Sequence, residues 1–270
     1  MTYPAVDSKL HVQLENVRMV YGQRVVFEGL SCAFPRGKVS VILGGSGSGK
    51  STILRLTGGL IRPRSGAIYI DGENIVGYSE RQMLAVREKL GMMFQGGALL
   101  DSYTVAENLA LPLREHSHMT GAQIEEEVTA RLTSVGLTDV QDLLPNELSG
   151  GMVRRVALAR AVIRNPTILM CDEPFSGLDP SSVKRIEALL LHRVAEQGIT
   201  VIMVSHHIPS TMRMADHVLL LLHRGKAVEG SPDRLRNSDD PEVVDFLNED
   251  APSPPPAAIR PAAAKLRPKA

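Results

Sequence analysis

The sequence predicts an α/β fold with a parallel core sheet, and three observations carry the prediction. Short apolar runs rich in β-branched residues alternate with helical patterns over residues 168–222, the order that builds a parallel sheet with crossover helices. The buried-strand run Val39-Ser40-Val41-Ile42-Leu43 leads directly into a glycine-rich loop and then a helical pattern. Apart from that run and the helix after it, the chain up to residue 70 is short strands and turns, which predicts an antiparallel β-subdomain at the N-terminus.

Within that subdomain, strands are expected over residues 10–21, 25–27 and 31–34, and residues 66–70 close it, with Asp71-Gly72 as a turn. Residues 81–89 read as a helix. Thr104-Val105-Ala106-Glu107 has the spacing of a capping box and opens another helix. Residues 120–135 form a charged amphipathic pattern stopped by Gly136. Residues 96–165 therefore predict a helical subdomain inserted into the α/β core. A short last helix is expected over residues 241–247, so one folded domain spans 1–247.

Residues 248–270 form a tail of different character. From Ala251 it holds six prolines, seven alanines, four basic residues and no acid. Such a segment cannot bury a core and is expected to be disordered alone. Two readings stay open for it: a solvated tail, or an arm docking on a neighbouring subunit.

Charge and cysteine usage narrow the function classes. Lys plus Arg and Asp plus Glu both number 30, so net charge is zero. A dedicated nucleic-acid binder would be basic, so no nucleic-acid partner is expected. Cys32 and Cys171 both sit in apolar strand patterns, which predicts core thiols and no disulfide framework. No run approaches the ~18 apolar residues of a membrane span, and the N-terminus lacks a signal pattern. A cytosolic chain is expected, whose membrane work needs a partner.

Gly44-Gly45-Ser46-Gly47-Ser48-Gly49-Lys50-Ser51 fits GxxxxGK[ST], the phosphate-binding P-loop. Its glycines let backbone N–H groups approach phosphate oxygens, and the helix beginning near Lys50 points its positive end at the same anion. Lys50 is expected to reach the β- and γ-phosphates and Ser51 to ligate Mg²⁺, with Thr52 beside them. The loop therefore predicts a nucleotide with Mg²⁺ as ligand.

Ile168-Leu169-Met170-Cys171-Asp172-Glu173 is an apolar strand ending in two acids. Alone it would be a strand leaving the core. Downstream of a P-loop, Asp172 is placed to hold Mg²⁺, and Glu173 to polarise an attacking water. Leu148-Ser149-Gly150-Gly151-Met152 opens a further helix, with Ser149 as N-cap and Met152, Val156, Ala159 and Ile163 at helical spacing. Adjacent glycines weaken a helix start, so Ser149, Gly150 and Gly151 predict a place where backbone meets a ligand. Arg154, Arg155 and Arg160 read as a solvated face.

In this order and spacing the three strings resemble the ATP-binding-cassette (ABC) ATPases, a P-loop NTPase family. The resemblance covers residues 10–247 and assigns further roles. It implies that Tyr21 stacks on adenine, that Gln95 touches Mg²⁺ and the coupling region, and that Asp179 in Ser176-Gly177-Leu178-Asp179 contacts a partner subunit. It also implies that His206 faces the γ-phosphate. The implied protein is a homodimeric ATPase: ATP on one copy is closed over by Ser149, Gly150 and Gly151 of the other. Three positions depart from the family pattern: Gly45 for proline, Met152 for glutamine, and His207 for the aspartate after the switch histidine.

Met93-Phe94-Gln95-Gly96-Gly97-Ala98-Leu99-Leu100, Thr104-Val105-Ala106-Glu107-Asn108 and Pro112-Leu113-Arg114-Glu115-His116 are similar to one branch, the Mla-type phospholipid-transport ATPases. That likeness implies a permease dimer, an MCE-type lipid-binding subunit and a small STAS-domain protein as partners. It also implies a place on the cytoplasmic face of a bacterial inner membrane. An ABC transporter for another solute, toxin or metal is the alternative.

Overall fold

The computed structural model describes residues 9–222 and 226–249; of the tail expected over 248–270, residues 248 and 249 continue the last helix, and 250–270 lie outside the described residues. Two sheets form the frame. In the first, β1 (Leu10–Tyr21), β2 (Arg24–Pro35), β4 (Ser65–Ile70) and β5 (Glu73–Asn74) run antiparallel in the order β2-β1-β4-β5. In the second, β3 (Val39–Gly44), β6 (Leu90–Met93), β7 (Ile168–Asp172), β8 (Thr200–Val204), β9 (His217–Leu221) and β10 (Ala227–Gly230) take the order β10-β9-β3-β8-β7-β6. All pairings in it are parallel except that of β10. The strands β3, β7 and β8 are buried along their full length, as expected where helices cover both faces.

Residues 24–35 form one strand, where the sequence suggested two. Gly29 at φ 113 and the register shifts in the β1–β2 pairing let a single strand run through the glycine without ending. Cys32 and Cys171 are free and buried. Burial pushes both thiols up, Cys171 to about 12, so they are inert core residues.

The helices start where their caps place them. Those of the insert are α3 (Val105–His116), α4 (Gly121–Ser134) and α5 (Gly150–Val162). Thr104 accepts from Glu107 N while Glu107 accepts from Thr104 N at 2.8 Å, and Thr120 with Gln123 repeats this at α4. Leu109, Leu132, Val156 and Ala159 give the insert its own buried core. The remaining helices are α1 (Lys50–Thr57), α2 (Glu80–Glu88), α6 (Pro180–Gln197), α7 (Ile208–Met214), α8 (Pro232–Arg236) and α9 (Pro241–Glu249).

The arginine face expected to be solvated is not. Arg160 donates to Gly97 O and Ala98 O, both at 2.9 Å, and to Asn108 Oδ1 at 3.3 Å. Arg155 donates to Gly136 O at 2.6 Å, behind the end of α4, and Arg154 to Ser176 O at 3.3 Å. Loop carbonyls left without partners at element ends recruit these guanidiniums, a demand that helical spacing cannot reveal.

A polar junction ties the first sheet to the second. Thr200 Oγ1 accepts from Gly37 N at 2.8 Å and shares a hydrogen bond with His11 Nδ1 at 2.6 Å. His11 Nε2 lies 3.3 Å from Asp71 Oδ1 but is poorly aligned for a hydrogen bond. Arg36 and Lys89 both pair with Asp71, at 2.6 and 2.7 Å. No helix among the described residues is long and apolar enough to cross a membrane.

Candidate ATP site

The P-loop turns from the tip of β3 into α1. Gly44 sits at φ 146, and a Cβ there would lie 2.6 Å from Leu221 O. Gly49, the N-cap of α1, has φ 103, and a Cβ there would lie 2.4 Å from Phe27 Cζ. Both positions therefore require glycine, for backbone angle and for close approach alike. Lys50 Nζ donates to Gly44 O at 2.7 Å and Gly45 O at 2.9 Å, so it lies folded over its own loop. Burial holds the Lys50 ammonium below its ordinary pKa, against the opposing pull of Glu173 and Asp172.

Parallel pairing of β7 with β8 brings the acids beside the loop. Ser51 Oγ donates to Asp172 Oδ1 at 3.0 Å. Glu173 is nearly buried, with a positive φ of 52 held by its N–H donating to Val204 O at 3.0 Å. A bulky non-glycine residue in that region is strained, and such strain concentrates at functional sites. His206 Nδ1 lies 2.8 Å from Glu173 Oε2. Of the two adjacent histidines, His206 thus faces the acids, and His207 turns away to cap α7.

A cleft of about 310 Å³ opens on the loop, lined by Tyr21, Arg24, Val26, Gly47, Lys50 and Thr52 among others. Tyr21, 42% exposed at the end of β1, lines this cleft. Arg24 was not anticipated: it donates to Gly47 O at 2.9 Å and ties the β1–β2 hairpin to the loop. No sequence motif marks it.

Gln95 is exposed beyond β6 and makes no hydrogen bond to Ser51 or Asp172. Ser149 caps α5 by accepting from Met152 N, and Ser149 and Gly150 are exposed. Gly151 lies against the start of α6, where a Cβ would meet Ser182 Oγ at 3.0 Å. Asp179 caps α6 and accepts from Ser181 and Ser182, whose hydrogen bonds hold its carboxyl well below the usual range. None of Ser149, Gly150, Gly151 and Asp179 lines the cleft of its own chain. The chain thus carries two separate surfaces, a P-loop surface and a second one where the Ser149 and Asp179 strings lie side by side.

Ser51 and Asp172 offer oxygen donors, the chemistry Mg²⁺ prefers. Among the described residues no group of three or more His, Cys, Asp or Glu could hold a metal. Few protein ligands, completed by phosphates and water, are the usual form of a nucleotide-bound Mg²⁺ site, so the donor set fits.

Fold and site define a P-loop ATPase. The ABC transporter family matches residues 27–176. The ATP-binding protein MlaF of the intermembrane phospholipid transport system of Escherichia coli (strain K12) is 40% identical over 245 residues, 91% of each chain. The probable ribonucleotide transport ATP-binding protein Mkl of Mycobacterium tuberculosis (strain H37Rv) is 36% identical over 237 residues, 88% of this chain and 66% of that one. The dimeric bacterial ABC transporter cassette MJ0796 superposes with a TM-score of 0.76 at 31% identity, covering 82% of this chain and 98% of that one. The same cassette, bound to ADP and Pi after hydrolysis, superposes at 0.75 with 31% identity and the same coverage. The chain belongs to the ABC transporter family, as its ATP-hydrolysing subunit.

Proposed function

We propose that this chain powers an ABC transporter that moves phospholipids between the inner and outer membranes of a bacterium. The observation that carries the cargo is its 40% identity to MlaF over 91% of both chains. The similarity to Mkl supports a second reading, transport of another solute by the same ATPase. On the first reading the chain sits on the cytoplasmic face of the inner membrane. It joins a permease dimer, an MCE-type lipid-binding subunit and a small STAS-domain protein.

Two copies form two composite ATP sites. The P-loop residues Gly44 to Thr52, with Tyr21 on adenine, hold ATP on one copy. Ser149, Gly150 and Gly151 of the other copy close over it, and Asp179 lies at the seam. The location of these strings, outside the cleft of their own chain, supports this division. Mg²⁺ held by Ser51, Asp172 and, after closure, Gln95 would neutralise phosphate charge. Lys50 leaves the Gly44 and Gly45 carbonyls for the phosphates. Glu173 orients and polarises the attacking water, and His206, braced on Glu173, faces the γ-phosphate. Positioning and electrostatics supply most of the rate in such phosphoryl transfer.

The cargo is tested by affinity purification of the tagged chain from detergent-solubilised membranes, with proteins and lipids identified by mass spectrometry. Phospholipid together with a permease, an MCE protein and a STAS protein is the expected result. A permease with a different binding protein and no lipid would leave the ATPase mechanism and discard the cargo.

A further inference from the structure

The residue after the switch histidine is His207, where the family pattern carries aspartate, and it occupies the N-cap of α7. A cap must accept hydrogen bonds. Ser210 N–H donates to His207 Nδ1 at 3.1 Å, and Ser210 Oγ lies 2.6 Å from the same nitrogen. Arg213 donates to Ser210 Oγ at 3.2 Å. The Ser210 N–H therefore takes the one in-plane lone pair of Nδ1. That arrangement exists only while Nδ1 carries no proton, so the tautomer is Nε2–H.

The bonds around His207 also set the turn that carries His206. His207 N–H donates to Ser205 Oγ at 3.0 Å, and Thr211 donates to His207 O through both its N–H at 3.1 Å and its hydroxyl at 3.2 Å. The ring packs edge-on against Phe175, centroids 6.1 Å apart, in the loop after β7. Arg213 continues to Glu187 on α6 at 2.6 Å. The charged and titratable groups around His207 are thus Arg213 on its own helix, Glu187 on α6 behind Arg213, and neighbouring His206 with Glu173. None of them replaces the acceptor that Nδ1 provides.

We propose that His207 is a positioning residue of the hydrolytic site, whose neutral imidazole caps α7 and so keeps His206 on Glu173, making turnover sensitive to acid. This rests on the role of His206 proposed above. A protonated ring has two donors and no acceptor, so it would turn an N–H toward the Ser210 N–H and abolish the cap. Aspartate in the same place accepts at every pH above the carboxylate range. Acid therefore removes a hydrogen bond from this chain that an aspartate-capped relative would keep.

The test measures kcat and KM for ATP from pH 6 to 8.5 for the full chain and for His207→Ala, His207→Asp and His206→Ala, alongside amide exchange at Ser210. At pH 8, His207→Ala should lose about fivefold in kcat, the size of a lost N-cap, with KM nearly unchanged. His207→Asp should restore kcat. On acidification the wild type should fall toward His207→Ala, and His207→Asp should hold its turnover to lower pH. Ser210 exchange should speed up in step in the wild type but not in His207→Asp. Coincident pH profiles of wild type and His207→Asp, or full kcat in His207→Ala at pH 8, would overturn the proposal. Full kcat in His206→Ala would remove the role of His206 instead, while Ser210 exchange still reports on the cap by itself.

Discussion

Glu173 combines near burial, a left-handed backbone and contact with His206. Its carboxylate, 2.8 Å from that histidine, is the proposed base. Replacing Glu173 by Gln should leave ATP binding intact and slow single-turnover hydrolysis by about 10²–10⁴-fold, the usual worth of a general base. Undiminished turnover would take Glu173 out of that role. Lys50 is proposed to act in ATP binding. With its two carbonyl contacts to Gly44 and Gly45 available for exchange against phosphate oxygens, Lys50→Ala should weaken ATP affinity by roughly 10–100-fold in equilibrium titration. That follows from ~1.5–3 kcal/mol for a hydrogen bond to a charged group.

At the level of elements, the junction of β1, β4 and β8 carries a pH dependence. Burial, helped by Arg36 and Lys89 and opposed by Asp71, lowers the His11 pKa to about 4. The unfolded chain then binds a proton at His11 that the folded chain refuses. This contribution is fully present above the ordinary histidine range near 6.5 and is lost as pH falls toward 4. Burial pushes Asp71 up, but hydrogen bonds from Lys89 and Arg36 outweigh it and hold the carboxyl at about 2. Its contribution therefore survives until pH falls below the usual carboxylate range. Denaturant midpoints should decline between pH 6.5 and 4, and His11→Asn should flatten that decline. Arg160 offers a second test, because its guanidinium fastens α5 to the loop before α3. Arg160→Ala should destabilise the insert by about 1.5–3 kcal/mol, seen as faster amide exchange in residues 97–108 with the sheet core unaffected.

These elements also show what sequence can and cannot disclose. The strands β3, β7 and β8 were readable because two-sided burial forces continuous apolar runs. The helices α3 and α4 were readable because their caps are local and need only Thr with Glu or Gln three residues on. The Gly44, Lys50 and Asp172 constellation was readable because each member sits in a local string. The arginine clamps, Arg24 on Gly47 O, and the His11–Thr200 bond join residues distant in sequence. No local period encodes them. The junction to β10 and α8 was also missed, although Ser231 followed by Pro232 is a helix-start signal that α8 uses.

For the whole molecule, the central proposal is that ATP is shared between two copies. One chain presents the P-loop cleft, and the same chain presents Ser149 and Gly150 on a different, exposed surface beside the Asp179 cap. The most direct measurement is sedimentation of purified Glu173→Gln, with and without ATP and Mg²⁺, beside the double variant that adds Ser149→Phe. The account predicts dimers only when ATP is present, with two nucleotides per dimer, and monomers under all conditions for the double variant. A Glu173→Gln chain that binds ATP fully yet stays monomeric, or a double variant that dimerises as well, would contradict it.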